Sequence, residues 1–263
     1  MADDTERLLA SGEVQPLGRI TESSNGAVLV RVTLDDASRL AIHKPVALER
    51  PLWDYPDGTL AGRERAAYLI SEAGGFGIVP TTVLHEGPWG PAATQEWVGE
   101  PHLAPGMVVD VLPPPDVPPG WREVLRGETP DGEEVVVAHA TDAAVRSAAV
   151  FDALINNSDR KGGHLLRVHD TLWGVDHGVS LGVEPKLRTV LWGWAGEVLP
   201  DSDVDKVRAV LNGLVEGDLR AALAPLLTGP ELAALADRAR SLLDERRHPL
   251  PRPGWPAIPW PAL

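Results

Sequence analysis

Four charged side chains in this sequence are hard to explain by packing alone. Lys44 ends a strand-like run beside the apolar Leu40 and Ile42. Glu64 falls in LAGRERAAYLISEAGG, a helix-like stretch. Asp159 and Asp176 lie 17 positions apart in NNSDRKGGHLLRVHDTLWGVDHGVSL, each followed closely by glycine and set beside a short apolar run. Phosphoryl transfer from ATP needs this set, and needs it converging on one cleft. A lysine neutralises the α- and β-phosphates, and a glutamate holds that lysine in place. One aspartate takes or orients the acceptor proton, and another binds the metal that bridges the phosphates. Each residue also has a plainer reading. Asp159 and Asp176 would be turn formers, Lys44 an edge-strand lysine before proline, and Glu64 a solvated helix residue.

The elements that must position these residues follow from periodicity. Val28, Val30 and Val32 alternate, as do Leu40 and Ile42, around turn signals at Ser23-Ser24-Asn25-Gly26 and Asp35-Asp36-Ala37-Ser38. That predicts three antiparallel strands ending at Lys44, with Pro45 stopping the ladder. The turn before the lysine strand would lay backbone N–H groups over phosphate. A short helix is expected at 5–11. LAGRERAAYLISEAGG predicts a helix closed by Gly74 and Gly75. IVPTTVLHEG and GPAATQEWVGE predict two strands around Gly87-Pro88, so the first hundred residues read β-β-β-α-β-β. Beyond the proline-dense PPPDVPPG, strands are expected near 121–127 and 134–139. A helix is expected over 142–155, with Val145, Ala148 and Ala149 able to share a buried side. A hairpin, opened by His164, would then lie between the two aspartates. KLRTVLWGWAGEVL and 201–247 read as mainly helical. The tail HPLPRPGWPAIPWPAL, with six prolines, is expected to be extended.

Here the motifs resemble a family. AIHKPVALERPLW resembles the lysine strand of type II phosphatidylinositol 4-kinases. NNSDRKGGHLL resembles the catalytic loop of the phosphatidylinositol 3-/4-kinase superfamily, and GVDHGVSL its metal-binding Asp-x-Gly segment. The chain also looks like a mainly actinobacterial family distantly similar to those lipid kinases. The motifs cover about residues 18 to 182, and their weight lies in their order.

The resemblance implies ATP and a divalent metal, Mg²⁺ or Mn²⁺, as cofactors. It implies that Lys44 contacts the phosphates and that Glu64 pairs with it. Gln95, Glu96, Trp97 and Val98 would form a hinge whose backbone hydrogen-bonds adenine. Ser24, Asn25 and Gly26 would be the phosphate-covering turn, without the three glycines of protein kinases. Asp159 would be the catalytic base and Asp176 a metal ligand. Arg160 joins the candidate catalytic set, although it and Lys161 read equally as exposed loop charges or phosphate contacts. The family plan asks for a metal-binding asparagine five residues after the catalytic aspartate. This chain has His164 there. Imidazole suits manganese or zinc better than magnesium, so His164 would ligate a softer metal, leave Asp176 alone on the metal, or mark a protein that binds nucleotide and transfers phosphate poorly. A buried histidine with no metal is its plainer reading.

Composition narrows the partners. The net charge of −14 and pI near 4.9 argue against nucleic acid. The Arg238, Arg240, Arg246 and Arg247 cluster is interleaved with acids and reads as a solvated helix face. With no cysteine, disulfides and zinc–thiolate sites are excluded. No signal peptide or transmembrane run is seen, which predicts a soluble, cytoplasmic protein. Trp192 and Trp194 are expected to pack in the core. Trp255 and Trp260 are expected to strap the tail across the globule, with partner docking through that tail as the alternative.

The expected fold is α+β and bilobal, protein-kinase-like. Residues 1–100 would form a small β-rich N-lobe with one key helix, 101–248 a larger, mainly helical C-lobe, and 249–263 the Pro/Trp-rich tail. The expected function is transfer of the γ-phosphate of ATP to a hydroxyl on a protein, small molecule or inositol lipid. The alternatives are a nucleotide-binding pseudokinase and an AMP-transferring enzyme.

Overall fold

A computed structural model describes residues 2–20, 26–56, 59–100, 104–254 and 256–263. Five strands form one antiparallel sheet in the order β1-β2-β3-β5-β4: β1 (Glu13–Arg19), β2 (Val28–Leu34), β3 (Ala37–Pro45), β4 (Thr82–Gly87) and β5 (Gly90–Glu96). Val28, Val30 and Val32 are buried as expected. Val28 pairs with His43 and Val30 with Ala41, so Ala41 and His43 share the valine face. Alternation puts Leu40, Ile42 and Lys44 together on the other face. The ladder also runs through Pro45, which pairs with Ala92 at the end of β3.

The two faces of this sheet are covered differently. Helix α1 (Ala2–Ser11) sets Leu8 and Leu9 on the valine face. Helix α2 (Leu60–Gly74) joins the larger core through Ala66, Ala67 and Ile70. Its first turn is fixed by side chains. Thr59 Oγ1 accepts from Gly62 N at 2.9 Å, and the Glu49 carboxylate accepts from Leu60 N and Ala61 N at 3.0 and 2.8 Å. Oxygens at that end satisfy orphan donors and favour the helix dipole.

The second lobe contains α3 (Ala143–Ile155), α4 (Asp201–Val215), α5 (Leu219–Leu223) and α6 (Gly229–Glu245). It also holds a three-stranded sheet, β6 (Val109–Leu112), β8 (Glu134–His139) and β7 (Arg122–Glu128), in that order. Strand β6 is not foreseen from the sequence, because it lies between prolines and is specified by pairing with β8. The hairpin β9 (Leu165–Val168) and β10 (Thr171–Gly174) follows α3. His164 ends a 3-10 turn just before β9.

Two expectations are corrected here. KLRTVLWGWAGEVL is not a helix and holds only a 3-10 turn at Trp192–Trp194. Its backbone pairs outward instead, Arg188 N to Asn157 O at 2.9 Å and Val190 N to Arg160 O at 3.2 Å. Tertiary pairing overrides helical composition there. Arg238 is not on a solvated face. It turns inward, donating to Leu154 O and Gly182 O at 2.9 and 3.1 Å. Trp194 is buried in the core, as expected. Among the described residues, no helix is long and apolar enough to cross a membrane.

Candidate active site

Lys44 lies across from Ala93, one residue before the end of β3. Its Nζ donates to Glu64 Oε1 and, at 2.9 Å, to Asp176 Oδ1. The other Glu64 oxygen accepts the N–H of His177 at 3.0 Å. One buried carboxylate thus ties the lysine strand to the turn after β10. Gly178 is part of that contact. A Cβ there would lie 3.2 Å from Leu60 Cβ and 3.5 Å from Glu64 Oε1, so a side chain would crowd α2. Asp176 itself has a left-handed backbone, φ 60°, a conformation that aspartate tolerates better than most residues.

Burial would push the Lys44 ammonium down, yet Asp176 and Glu64 outweigh it and hold its pKa above the ordinary lysine value. Lys44 in turn holds the Asp176 carboxyl well below the usual carboxylate range, against burial. The pair stays charged at neutral pH. Lys44 is 19% exposed and Asp176 52% exposed, so the charges face an opening instead of a sealed core.

Asp159 sits where the chain leaves α3. Asn157 fixes it, donating from Nδ2 to Asp152 Oδ1 at 3.0 Å while its Oδ1 accepts the Asp159 N–H at 3.0 Å. Burial raises the Asp159 carboxyl, Lys161 opposes that rise at 3.2 Å, and the charge of Asp176 adds to it. The two aspartates therefore sense each other.

Arg160 corrects its expectation. It is fully buried, neither an exposed loop charge nor free to reach phosphate. Its Nε bonds both oxygens of Asp152, Nη1 donates to His164 O and Val175 O, and Nη2 donates to His177 Nε2 at 2.7 Å. With Nη2 also 2.9 Å from Asp152 Oδ1, the guanidinium has no N–H left for a ligand. It clamps α3, the loop after Asp159 and the turn after β10 together. Sequence reasoning missed Asp152 and His177 as the partners. The available signal was Asp152 itself, a carboxylate inside an apolar helix that must find a cation.

His164 Nε2 lies 3.3 Å from Asp176 Oδ2. Burial pushes its pKa down to about 4 in spite of Asp176, so the ring is neutral near pH 7. A neutral imidazole and a carboxylate facing one point are a donor set suited to a divalent cation, manganese more than magnesium. Among the described residues no three His, Asp or Glu side chains cluster for a metal. A cation here would complete its shell from phosphate oxygens and water, the usual arrangement at nucleotide sites. The residues fit the implied metal on those terms.

The other expected residues fall as follows. Gln95 is inside β5, and its Nε2 donates to Thr82 Oγ1 at 2.8 Å. Glu96 N is bound to Thr81 O and Trp97 N to Leu40 O, at 2.8 and 2.9 Å. Their N–H groups are therefore engaged within the sheet. Val98 follows, past the end of β5. Gly26 has φ 66° just before β2, while Ser24 and Asn25 lie outside the described residues. Trp260 is 86% exposed and straps nothing, which corrects its expected role, and Trp255 lies outside the described residues.

A β-sheet lobe carrying one lysine-paired helix, above a helical lobe carrying two aspartate turns, is a kinase-like fold. The Golgi casein kinase aligns with it over 93% of this chain and 74% of its own, with TM-score 0.52 and 12% identity, a likeness of fold. The proinflammatory kinase CtkA of Helicobacter pylori aligns at TM-score 0.48 and 10% identity, over 91% and 94% of the two chains. No family model matches the chain. Protein Rv2133c of Mycobacterium tuberculosis is 47% identical to it over 271 residues, covering all of this chain and 97% of that protein. The chain belongs to the same family as Rv2133c.

Proposed function

We propose that this protein is an ATP-dependent phosphotransferase acting on a hydroxyl acceptor. The observation that carries the reading is Lys44 Nζ joined to both Glu64 and Asp176, residues from three separate elements. In this reading Glu64 aims Lys44 at the α- and β-phosphates. Leu40 and Ile42, on the face of Lys44, line the floor beside the adenine. Glu96, Trp97 and Val98 form the hinge, with Val98 offering the backbone donor. Ser24, Asn25 and Gly26 cover the phosphates. Asp159, with a raised pKa, orients the acceptor hydroxyl and receives its proton. Asp176 and His164 hold the divalent cation, which when bound screens phosphate charge. Catalysis is then chiefly positioning and charge neutralisation.

The acceptor is proposed from charge. A net charge of −14 disfavours an anionic membrane surface, so a protein or small soluble hydroxyl compound ranks above the inositol lipid suggested by the motif resemblance. His164 beside Asp176 favours a second reading, a nucleotide-binding pseudokinase. Thermal shift with ATP, with and without Mg²⁺ or Mn²⁺, tests both. Metal-dependent stabilisation with turnover lost in Asp159→Ala supports the enzyme. Stabilisation without turnover across acceptors supports the pseudokinase. A mass gain of AMP on the acceptor would replace phosphate transfer by nucleotidyl transfer.

A further inference from the structure

The sequence after Asp159 and Arg160 runs Lys161-Gly162-Gly163-His164, and no catalytic role accounts for Gly162. Gly162 is buried, and a Cβ on it would lie 2.6 Å from Leu263 Cδ2 and 3.1 Å from Val109 Cβ. Its N–H donates to Ala262 O at 2.8 Å. The far end of the chain therefore lies directly on the loop between Asp159 and His164.

A second attachment lies behind the same loop. Thr189 N and Trp192 Nε1 both donate to Ala257 O, at 3.1 and 2.8 Å. Arg188 Nη2 reaches Ile258 O at 3.4 Å. The 188–190 segment passes these contacts on, with Arg188 N bonded to Asn157 O and Arg160 N to Arg188 O at 2.9 and 3.0 Å. Residues 157–160, 188–190 and 257–258 thus form three adjacent layers. Ala262 is 6% exposed and closes the end of this stack. The tail is held by backbone carbonyls and small side chains, while its Trp260 points to solvent.

We propose that residues 257–262 are a positioning element for the catalytic loop. They hold the backbone of Gly162 and of the 188–190 segment, and so set Asp159 and His164 relative to Asp176. The proposal rests on the phosphotransferase reading for its effect on turnover, while the tail–loop coupling stands on the contacts alone. Its prolines suit the task, because a stiff extended segment loses little entropy when it docks.

The test uses the full chain with Mn²⁺–ATP. Ala262→Asp places a charge where 6% of the residue is exposed, and should lift this end of the tail. Trp192→Phe removes one donor to Ala257 O while keeping a smaller aromatic ring in its place. Amide exchange at Gly162 and Thr189 should quicken in the first and at Thr189 in the second, with α3, α4 and α6 as protected as before. In Ala262→Asp, kcat should fall by about ten- to a hundredfold, as expected for misplaced catalytic groups, with the KM for ATP changed less than about twofold. Trp192→Phe should move kcat the same way by a smaller factor. Val215→Ala, at an exposed position at the end of α4 and outside the tail, should change neither readout. The proposal is overturned if Ala262→Asp keeps parent turnover and parent exchange, or if both variants lose activity only together with protection throughout the helices. A parent chain without turnover, whose Gly162 and Thr189 amides still respond to Ala262→Asp, would sink the phosphotransferase reading and leave the tail coupling standing.

Discussion

Lys44 and Asp176 are 132 residues apart in sequence and meet at 2.9 Å. Each changes the other's protonation, the lysine raised above its ordinary value and the aspartate lowered below its own. Glu64 is the third member, and it touches both the lysine side chain and the backbone of the aspartate turn. An ion pair left half-open to solvent contributes little to folding. Its geometry is better explained by what it leaves ready, an ammonium and a carboxylate at one opening.

Replacing Glu64 by Gln tests that geometry. The amide keeps an acceptor for His177 N–H and loses the charge that divides Lys44 between two carboxylates. Lys44 should then swing wholly onto Asp176. Turnover is expected to fall by roughly a hundredfold, the usual cost of a displaced catalytic group, with the melting temperature nearly unchanged. Steady-state kinetics beside a melting curve check it. Full activity in Glu64→Gln would remove Glu64 from the proposed machinery.

The buried clamp gives a stability prediction of the opposite kind. Asp152 and Arg160 are both fully buried and bonded to each other. Removing one partner leaves an unpaired buried charge, which costs about 3–5 kcal/mol. Arg160→Met should therefore lower the unfolding free energy by about that amount, measured by urea denaturation. Asp152→Asn, which leaves the arginine unneutralised, should act in the same direction. A change below about 1 kcal/mol in both, within the range of ordinary surface substitutions, would contradict the clamp.

What is legible in the sequence depends on whether a residue acts through type and order or through distant contact. The meeting of Lys44, Glu64 and Asp176 is legible because their order and flanking elements carry the signal. The sheet could be read because Val28, Val30 and Val32 alternate. Which face of β3 meets the core is not legible, because Leu40 and Ile42 are more apolar than Ala41 and His43, although the latter pair faces the core. Leu40 and Ile42 lie instead on the face of the proposed nucleotide site. The place of Arg160 is not legible because nothing local marks a loop arginine as buried; its four partner residues come from 8 positions before it to 17 after it. The segment 186–199 failed for the same reason. Its composition is helical, but the N–H groups of Arg188 and Val190 are taken by a loop some 30 residues earlier and that of Thr189 by Ala257 O of the tail.

Acid should loosen the protein before it reaches the carboxylates. Burial pushes His43 down to about 4 and His248 down to about 4, and lowers His139 as well. In the unfolded chain each titrates near its ordinary value of about 6.5. Between those values the unfolded state binds more protons, so stability is fully present above about pH 6.5 and is lost as pH falls toward 4. The melting temperature should drop on the order of 10 °C between pH 7 and 4.5. His248→Gln, which cannot titrate, should flatten that slope. An identical slope in the variant would exclude His248 as a contributor.

The metal preference should be set by His164. Its neutral ring stands 3.3 Å from Asp176. A nitrogen donor there favours manganese over magnesium, and an amide oxygen would reverse the bias. His164→Asn should therefore reduce the advantage of Mn²⁺ over Mg²⁺ in ATP binding by about tenfold, equivalent to about 1.4 kcal/mol. Titrating ATP into parent and variant with each metal gives the four dissociation constants required. The ratio is the decisive quantity, since a general loosening of the site would weaken both metals alike. An unchanged ratio would mean that His164 packs beside Asp176 without touching the cation, and that any cation bound there rests on Asp176 alone.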